Sequence, residues 1–308
     1  MATLLGVPVG YGAGTGMTSV DQVRAEARWA AGAGFDSFWV SQILGVDPIV
    51  ALAAVGSDVP GLAELGTSVV PLSGRHPLAL AAQARTAQDA LGGRFTLGAG
   101  PSHAMVSEGF YGESYARPFT RTGEFLEALV PLLRGDPVDV TGELVEAHGW
   151  LTIDAAPVPL LLAALAPRML DLAGRVAEGT TVGSCGPGVI AGHIAPVINA
   201  AADGAGRSAP RIQAMVSVAV TDDPGAVRAE AAAEDALYAA LPAYRRVLDL
   251  EGVDSGADLV LAGSVERIVE GLGAYVDAGV TELRLGIGTR DERVRNATRD
   301  ALAGLLGG

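Results

Sequence analysis

Histidine is the side chain that most readily exchanges a proton near neutral pH, and this sequence has four. His103 directly follows Leu97-Gly98-Ala99-Gly100-Pro101-Ser102, where two glycines let backbone lie close to a bound molecule. A solvated loop histidine fits the same residues. His76 precedes Pro77 at a helix start, a capping or packing position; His148 falls in a hairpin and His193 on a helix face. Gln42 is a neutral amide that both donates and accepts, suited to the edge of a heteroaromatic ring or to a surface loop. Ser68 and Val69 belong to Gly66-Thr67-Ser68-Val69-Val70-Pro71, small enough for a planar ligand to approach. Ala163-Ala164-Leu165-Ala166-Pro167-Arg168 puts proline at a first helical position with arginine just beyond. That is either a phosphate site, with helix amides, dipole and guanidinium combined, or an ordinary junction carrying a surface arginine.

What is missing narrows the chemistry. All 21 basic residues are arginine, which excludes a lysine Schiff base, a Walker-type phosphate lysine and a Ser-Lys dyad. Cys185 is the one cysteine, has no partner base in view and reads as structural, so an internal disulfide is excluded and a reducing cytoplasm is expected. Scattered histidines, with no HxxxH or DxD-type cluster, give no metal site, and there is no G-x-S-x-G elbow. A net charge of −14 disfavours nucleic acid and an anionic membrane surface. The stretch from Met1 to Gly16 has no basic n-region, and the greasiest run, Ala155 to Pro167, is too short to span a bilayer and contains three prolines. With so few titratable groups available, the difficult chemistry falls to an organic cofactor.

These candidates all follow short apolar runs. Strands are expected at Leu4–Val9, Ser37–Ser41, Leu65–Pro71, Phe95–Gly98, Pro159–Leu165, Thr180–Gly183, Arg211–Thr221 and Glu282–Leu285. Helical patterns separate nearly all of them, opened by Thr18 or Ser19, Asp47-Pro48, Pro77, Pro118, Pro167-Arg168, Gly188, Asp223-Pro224 and Ser264. Eight such units predict an α/β fold, a closed (β/α)8 barrel filling residues 1–308 as one domain, with an open doubly wound sheet as the alternative. In a barrel, the strand ends carry the site. Three stretches exceed a minimal barrel: Pro101–Thr122, the hairpin-like Val138–Ile153 within Gly135–Pro157, and Ala239–Ala262, read as helical. Phe110, Tyr111, Tyr115, Phe119 and Tyr11 are expected as an aromatic pocket wall or as packing.

Several of these stretches together resemble the luciferase-like monooxygenase superfamily, in its branch that uses the deazaflavin coenzyme F420. The resemblance rests on Ala33-Gly34-Phe35-Asp36-Ser37-Phe38-Trp39-Val40-Ser41, on Gly66-Thr67-Ser68-Val69 with Arg75-His76-Pro77, and on Gly93-Arg94-Phe95-Thr96-Leu97-Gly98-Ala99-Gly100. It continues through Ala163 to Met169, Val218 to Asp223 and Ala278 to Leu283. It implies a bacterial luciferase-like barrel with F420, or alternatively FMN, in its mouth. A cis peptide would fall at Ser68–Val69; Gly98, Gly100, Ser102 and His103 would flank the ring with Gln42, which would join His103 as a catalytic residue; and Ala163 to Arg168 would hold the side chain and phosphate. Alcohol dehydrogenases of the branch carry an Asp-His pair where this chain has Gln42-Ile43, and His103 stands where relatives place an acidic glutamate. The resemblance therefore implies a reductase, similar to methylene-tetrahydromethanopterin reductases. It would pass hydride from reduced F420 to a C=C or C=N bond of a small molecule, His103 giving the proton. A homodimer is implied, and a barrel that binds the cofactor without catalysis is the third reading.

Overall fold

Side-chain oxygens at helix starts set much of the chain's rhythm. Ser19, Asp47, Asp223, Ser264 and Asp291 each accept a backbone N–H from the first turn of the helix that follows. The computed structural model describes residues 3–14 and 16–307. The barrel strands are β1 (Val7–Ala13), β2 (Ser37–Val40), β3 (Glu64–Thr67), β4 (Phe95–Gly100), β5 (Leu160–Leu162), β6 (Gly179–Val182), β7 (Arg211–Val220) and β8 (Glu282–Ile287). Each pairs in parallel with the next, and β8 closes on β1 through Leu283↔Val9 and Leu285↔Tyr11. The outer helices are α1 (Val20–Gly32), α2 (Pro48–Val55), α3 (Pro77–Ala90), α4 (Pro118–Arg134), α5 (Pro167–Val176), α6 (Ala195–Gly204), α7 (Val265–Asp277) and α8 (Glu292–Leu306). This is the expected (β/α)8 barrel.

The lumen is filled in layers. At its base Arg211 donates to Glu64 at 2.8 and 2.9 Å and to Glu282 at 2.7 Å. Burial alone would lower the Arg211 pKa, but these carboxylates outweigh it and hold the group above its ordinary value. Above them the indole of Trp39 bonds Ser37 Oγ at 2.8 Å and spreads over Gly66, where an added methyl would lie 2.1 Å from the ring. The glycine is required by that close approach.

Several boundaries differ from the expectation. Strand one begins later, because Leu5 and Gly6 turn with positive φ and send Thr3–Leu4 back as an antiparallel flap. The expected third strand is interrupted at Ser68-Val69 and resumes at Val70–Pro71 beside β4. Ala239–Ala262 is not one helical stretch. Its helix, Pro242–Glu251, ends at a left-handed Gly252, and the apolar Leu261–Gly263 pairs with β7 as a short strand. With Pro224–Ala239 it forms a helical cap between β7 and α7. Val138–Thr141 and Glu146–Gly149 form the expected hairpin, and the long loop after β4 holds a helix, Ala104–Gly109.

Candidate active site

Beyond the end of β3 the backbone bulges inward through a cis peptide at Ser68-Val69. Hydrogen bonds fix the bulge on several sides. Ser68 N–H donates to Val40 O at 2.9 Å, and Gln42 N–H donates to Val69 O at 3.2 Å. Ser68 O accepts from the Ser41 hydroxyl and, at 3.2 Å, from Arg284 Nη1. Ser68 Oγ lies 3.3 Å from Thr181 Oγ1.

Small residues make a flat shelf against this bulge. A methyl on Gly98 would lie 1.9 Å from Thr67 O, and one on Gly100 would lie 2.9 Å from the Ala163 methyl and 3.5 Å from Val69. Ala163 N–H donates to Ala99 O at 2.8 Å, and His193 Nε2 holds Leu165 O at 2.8 Å. Val69, Gly98, Gly100 and Ala163 are thus brought together, with Ala164 buried behind them. Gln42 Oε1 accepts from Arg75 at 2.9 Å, and the same guanidinium pairs with Asp47, so the Gln42 amide is held with Nε2 as its remaining donor. Ala166 and Arg168 are exposed at the start of α5, and the Arg168 guanidinium lies 4.0 Å from the Phe119 ring. Pro167 has no N–H and Met169 N–H bonds Ala166 O, so among the described residues the Arg168 amide is the first-turn donor left for an anion.

The histidines separate cleanly. His76 caps α3 through Nδ1 and bonds Glu146 O through Nε2; His148 is held by Asp139 and Glu146; His193 holds Leu165. His103, at the start of the Ala104–Gly109 helix, makes no side-chain cap, and its ring has no hydrogen bond among the described residues. Burial moves its pKa below 6.5. Its ring centroid is 5.6 Å from that of Tyr244 and 6.0 Å from that of Tyr238, and these tyrosines meet edge to face at 5.7 Å. Both belong to the cap. Just before His103, Ser102 has φ +65°, and its carbonyl accepts from Tyr115 at 2.8 Å.

Tyr11 is no part of the pocket wall. The strand period turns Gly10 and Gly12 inward and therefore Tyr11 outward, where it packs on Trp29 and Phe35 and bonds Glu26. Phe110 and Tyr111 remain partly exposed, Tyr111 against Gly74. Cys185 is buried and its thiol is pushed up by burial and then by Glu251, so it stays protonated. Among the described residues no group of three or more His, Cys, Asp or Glu is placed to hold a metal.

The sequence reading missed Tyr238, Tyr244, Met215 and Arg284. Met215 faces the mouth from β7, 41% exposed, beside Arg284 on β8. An arginine amid Leu283 and Leu285 was the available signal, since the strand period turns it inward with Glu282.

Such a face, at the C-terminal ends of a closed parallel barrel, defines the class: a (β/α)8 protein with its candidate site at the barrel mouth. The chain belongs to the luciferase-like monooxygenase family, which residues 1–282 match. It is 25% identical over 243 residues to the 5,10-methylenetetrahydromethanopterin reductase of Methanolobus tindarius, covering 78% of this chain and 74% of that one. Against an F420-dependent glucose-6-phosphate dehydrogenase of Mycolicibacterium fortuitum it is 28% identical over 267 residues, covering 79% and 78%. A solved F420-dependent secondary alcohol dehydrogenase, in complex with an F420-acetone adduct, shares the fold with TM-score 0.83 at 19% identity, over 98% of both chains.

Proposed function

We propose that this protein is an F420-dependent oxidoreductase that reduces a C=C or C=N bond of a small organic molecule, with His103 as proton donor. The F420-dependent relatives support the cofactor, Gln42-Ile43 in place of the Asp-His pair supports reduction, and the His103 ring, with no hydrogen bond among the described residues, is the observation that carries the proton donor. The residues fit the cofactor: the shelf of Val69, Gly98, Gly100 and Ala163 suits a flat ring, the Gln42 Nε2 donor suits its polar edge, and Arg168 with its own amide suits a phosphate. When bound, F420 supplies the hydride equivalent. The chain supplies the rest. The anchored bulge and shelf would hold the ring, the cap tyrosines would shield the mouth from water, and His103 as imidazolium would give its proton to the second atom of the reduced bond, becoming neutral imidazole.

The same reading makes the protein a homodimer acting in the cytoplasm on a small molecule, not on nucleic acid or a membrane. Large apolar side chains left exposed, Leu44 and Trp150 among them, favour self-association, which sedimentation equilibrium reads directly. No described helix is long and apolar enough to cross a membrane. Replacing His103 with Ala tests the chemistry. Turnover should fall by roughly 10²–10⁴-fold with F420 affinity nearly intact. An unchanged rate would remove His103 from the mechanism.

A further inference from the structure

Among the described residues two arginines are buried almost completely, and they differ in how many backbone acceptors they meet. Arg85, 4% exposed, donates to three backbone carbonyls, of Leu133, Ile153 and Ala155. Arg284, 5% exposed, has one acceptor, Ser68 O. Its Nε is buried with no partner, as is that of Arg85, but its Nη2 also makes no hydrogen bond among the described residues, and neither arginine pairs with a carboxylate there. Two inward carboxylates of the barrel, Glu282 and Glu64, are committed to Arg211 one layer below. Burial lowers the Arg284 pKa to about 10, so the group is still a cation at pH 7. A buried cation without a counter-charge is costly to keep.

Its position gives that charge a use. From β8 the side chain passes over Gly12 and reaches across the lumen to the bulge after β3, beneath the cap. There Tyr244 lies within range of its charge, and neither the Tyr244 nor the Tyr238 hydroxyl has a hydrogen-bond partner among the described residues. Nη1 is spent on the bulge, which leaves Nε and Nη2, the edge of a guanidinium that engages a carboxylate with two parallel bonds.

We propose that Arg284, with the Tyr244 hydroxyl, forms an oxyanion-binding site at the barrel mouth, and that the acceptor reduced beside His103 carries a carboxylate. This deepens the F420-dependent reading above and names its substrate class. One guanidinium edge and one phenol match the two oxygens and single charge of a carboxylate. The carboxylate would supply the counter-charge that Arg284 lacks. Arg284 thereby fixes which end of the substrate enters first, and His103 meets the other.

The test uses the full-length protein, alone and loaded with F420, titrated calorimetrically with crotonate and cinnamate and with their methyl esters. Both acids should bind more tightly than their esters. Arg284→Met should weaken the acids about 30-fold or more and the esters by no more than about threefold. Tyr244→Phe should weaken them by less. Because Arg284→Met removes an uncompensated buried charge while Ser41 still bonds Ser68 O, its Tm should match or exceed that of the wild type. A structural arginine would give a lower Tm. Equal binding of acid and ester by the wild type, or an unchanged preference in Arg284→Met, would overturn the proposal, as would a lower Tm with joint loss of F420 and acid binding. Failure to bind F420, with the acid preference intact in the protein alone, would count against the cofactor reading and leave this site standing.

Discussion

At His103 burial disfavours the imidazolium, so the pKa falls below 6.5 and the ring is mostly neutral at pH 7. A proton donor of this kind is active only in its protonated form. The proposed reduction should therefore be fastest on the acid side, with kcat falling as pH rises through that lowered pKa. A pH–rate profile of the F420-loaded protein checks this, and a profile rising towards pH 8 would point to a base instead. That His103 could do chemistry was readable from the glycines ahead of it. Its freedom was not, because the partners that occupy His76, His148 and His193 lie 70, 9 and 28 residues away. The same applies to Gln42, whose amide is oriented by Arg75 from 33 residues further along the chain.

Among the elements, the cap packs Tyr238 and Tyr244 against His103. Its second helix is pinned by Glu251, whose carboxylate accepts the N–H of Gly188 at 3.1 Å and of Val189 at 2.6 Å after β6. Glu230, on the first cap helix, accepts Thr289 Oγ1 and Arg290 N–H after β8. Glu251→Ala should cost about 1–3 kcal/mol in chemical denaturation and raise KM more than it lowers kcat, because Tyr244 loses its support. Glu251→Gln, which keeps an acceptor, should recover much of the loss. Helix starts were legible because Ser19, Asp47, Asp223 and Ser264 act locally. The cap itself was misread as continuous helix, since neither the left-handed turn at Gly252 nor the pairing of Leu261–Gly263 with β7 shows in local periodicity.

Across the whole molecule, eight alternating units made the barrel legible, while closure decided what faces what inside it. Arg284 and Ser68 are 216 residues apart and meet only because β8 pairs with β1. The same closure assembles the base, where Arg211 joins strands three, seven and eight. Arg211→Ala would leave Glu64 and Glu282 facing each other and should destabilise the barrel by about 3 kcal/mol, measured by urea unfolding. The scarcity of catalytic side chains fits the proposed function, in which the barrel would bind and orient and a deazaflavin would carry the hydride. Titrating the purified protein with F420 and, separately, with FMN while following fluorescence quenching tests which cofactor the barrel takes. Saturable F420 binding in the micromolar range is expected, with no comparable binding of FMN. Micromolar FMN binding without F420 binding would contradict the proposed function.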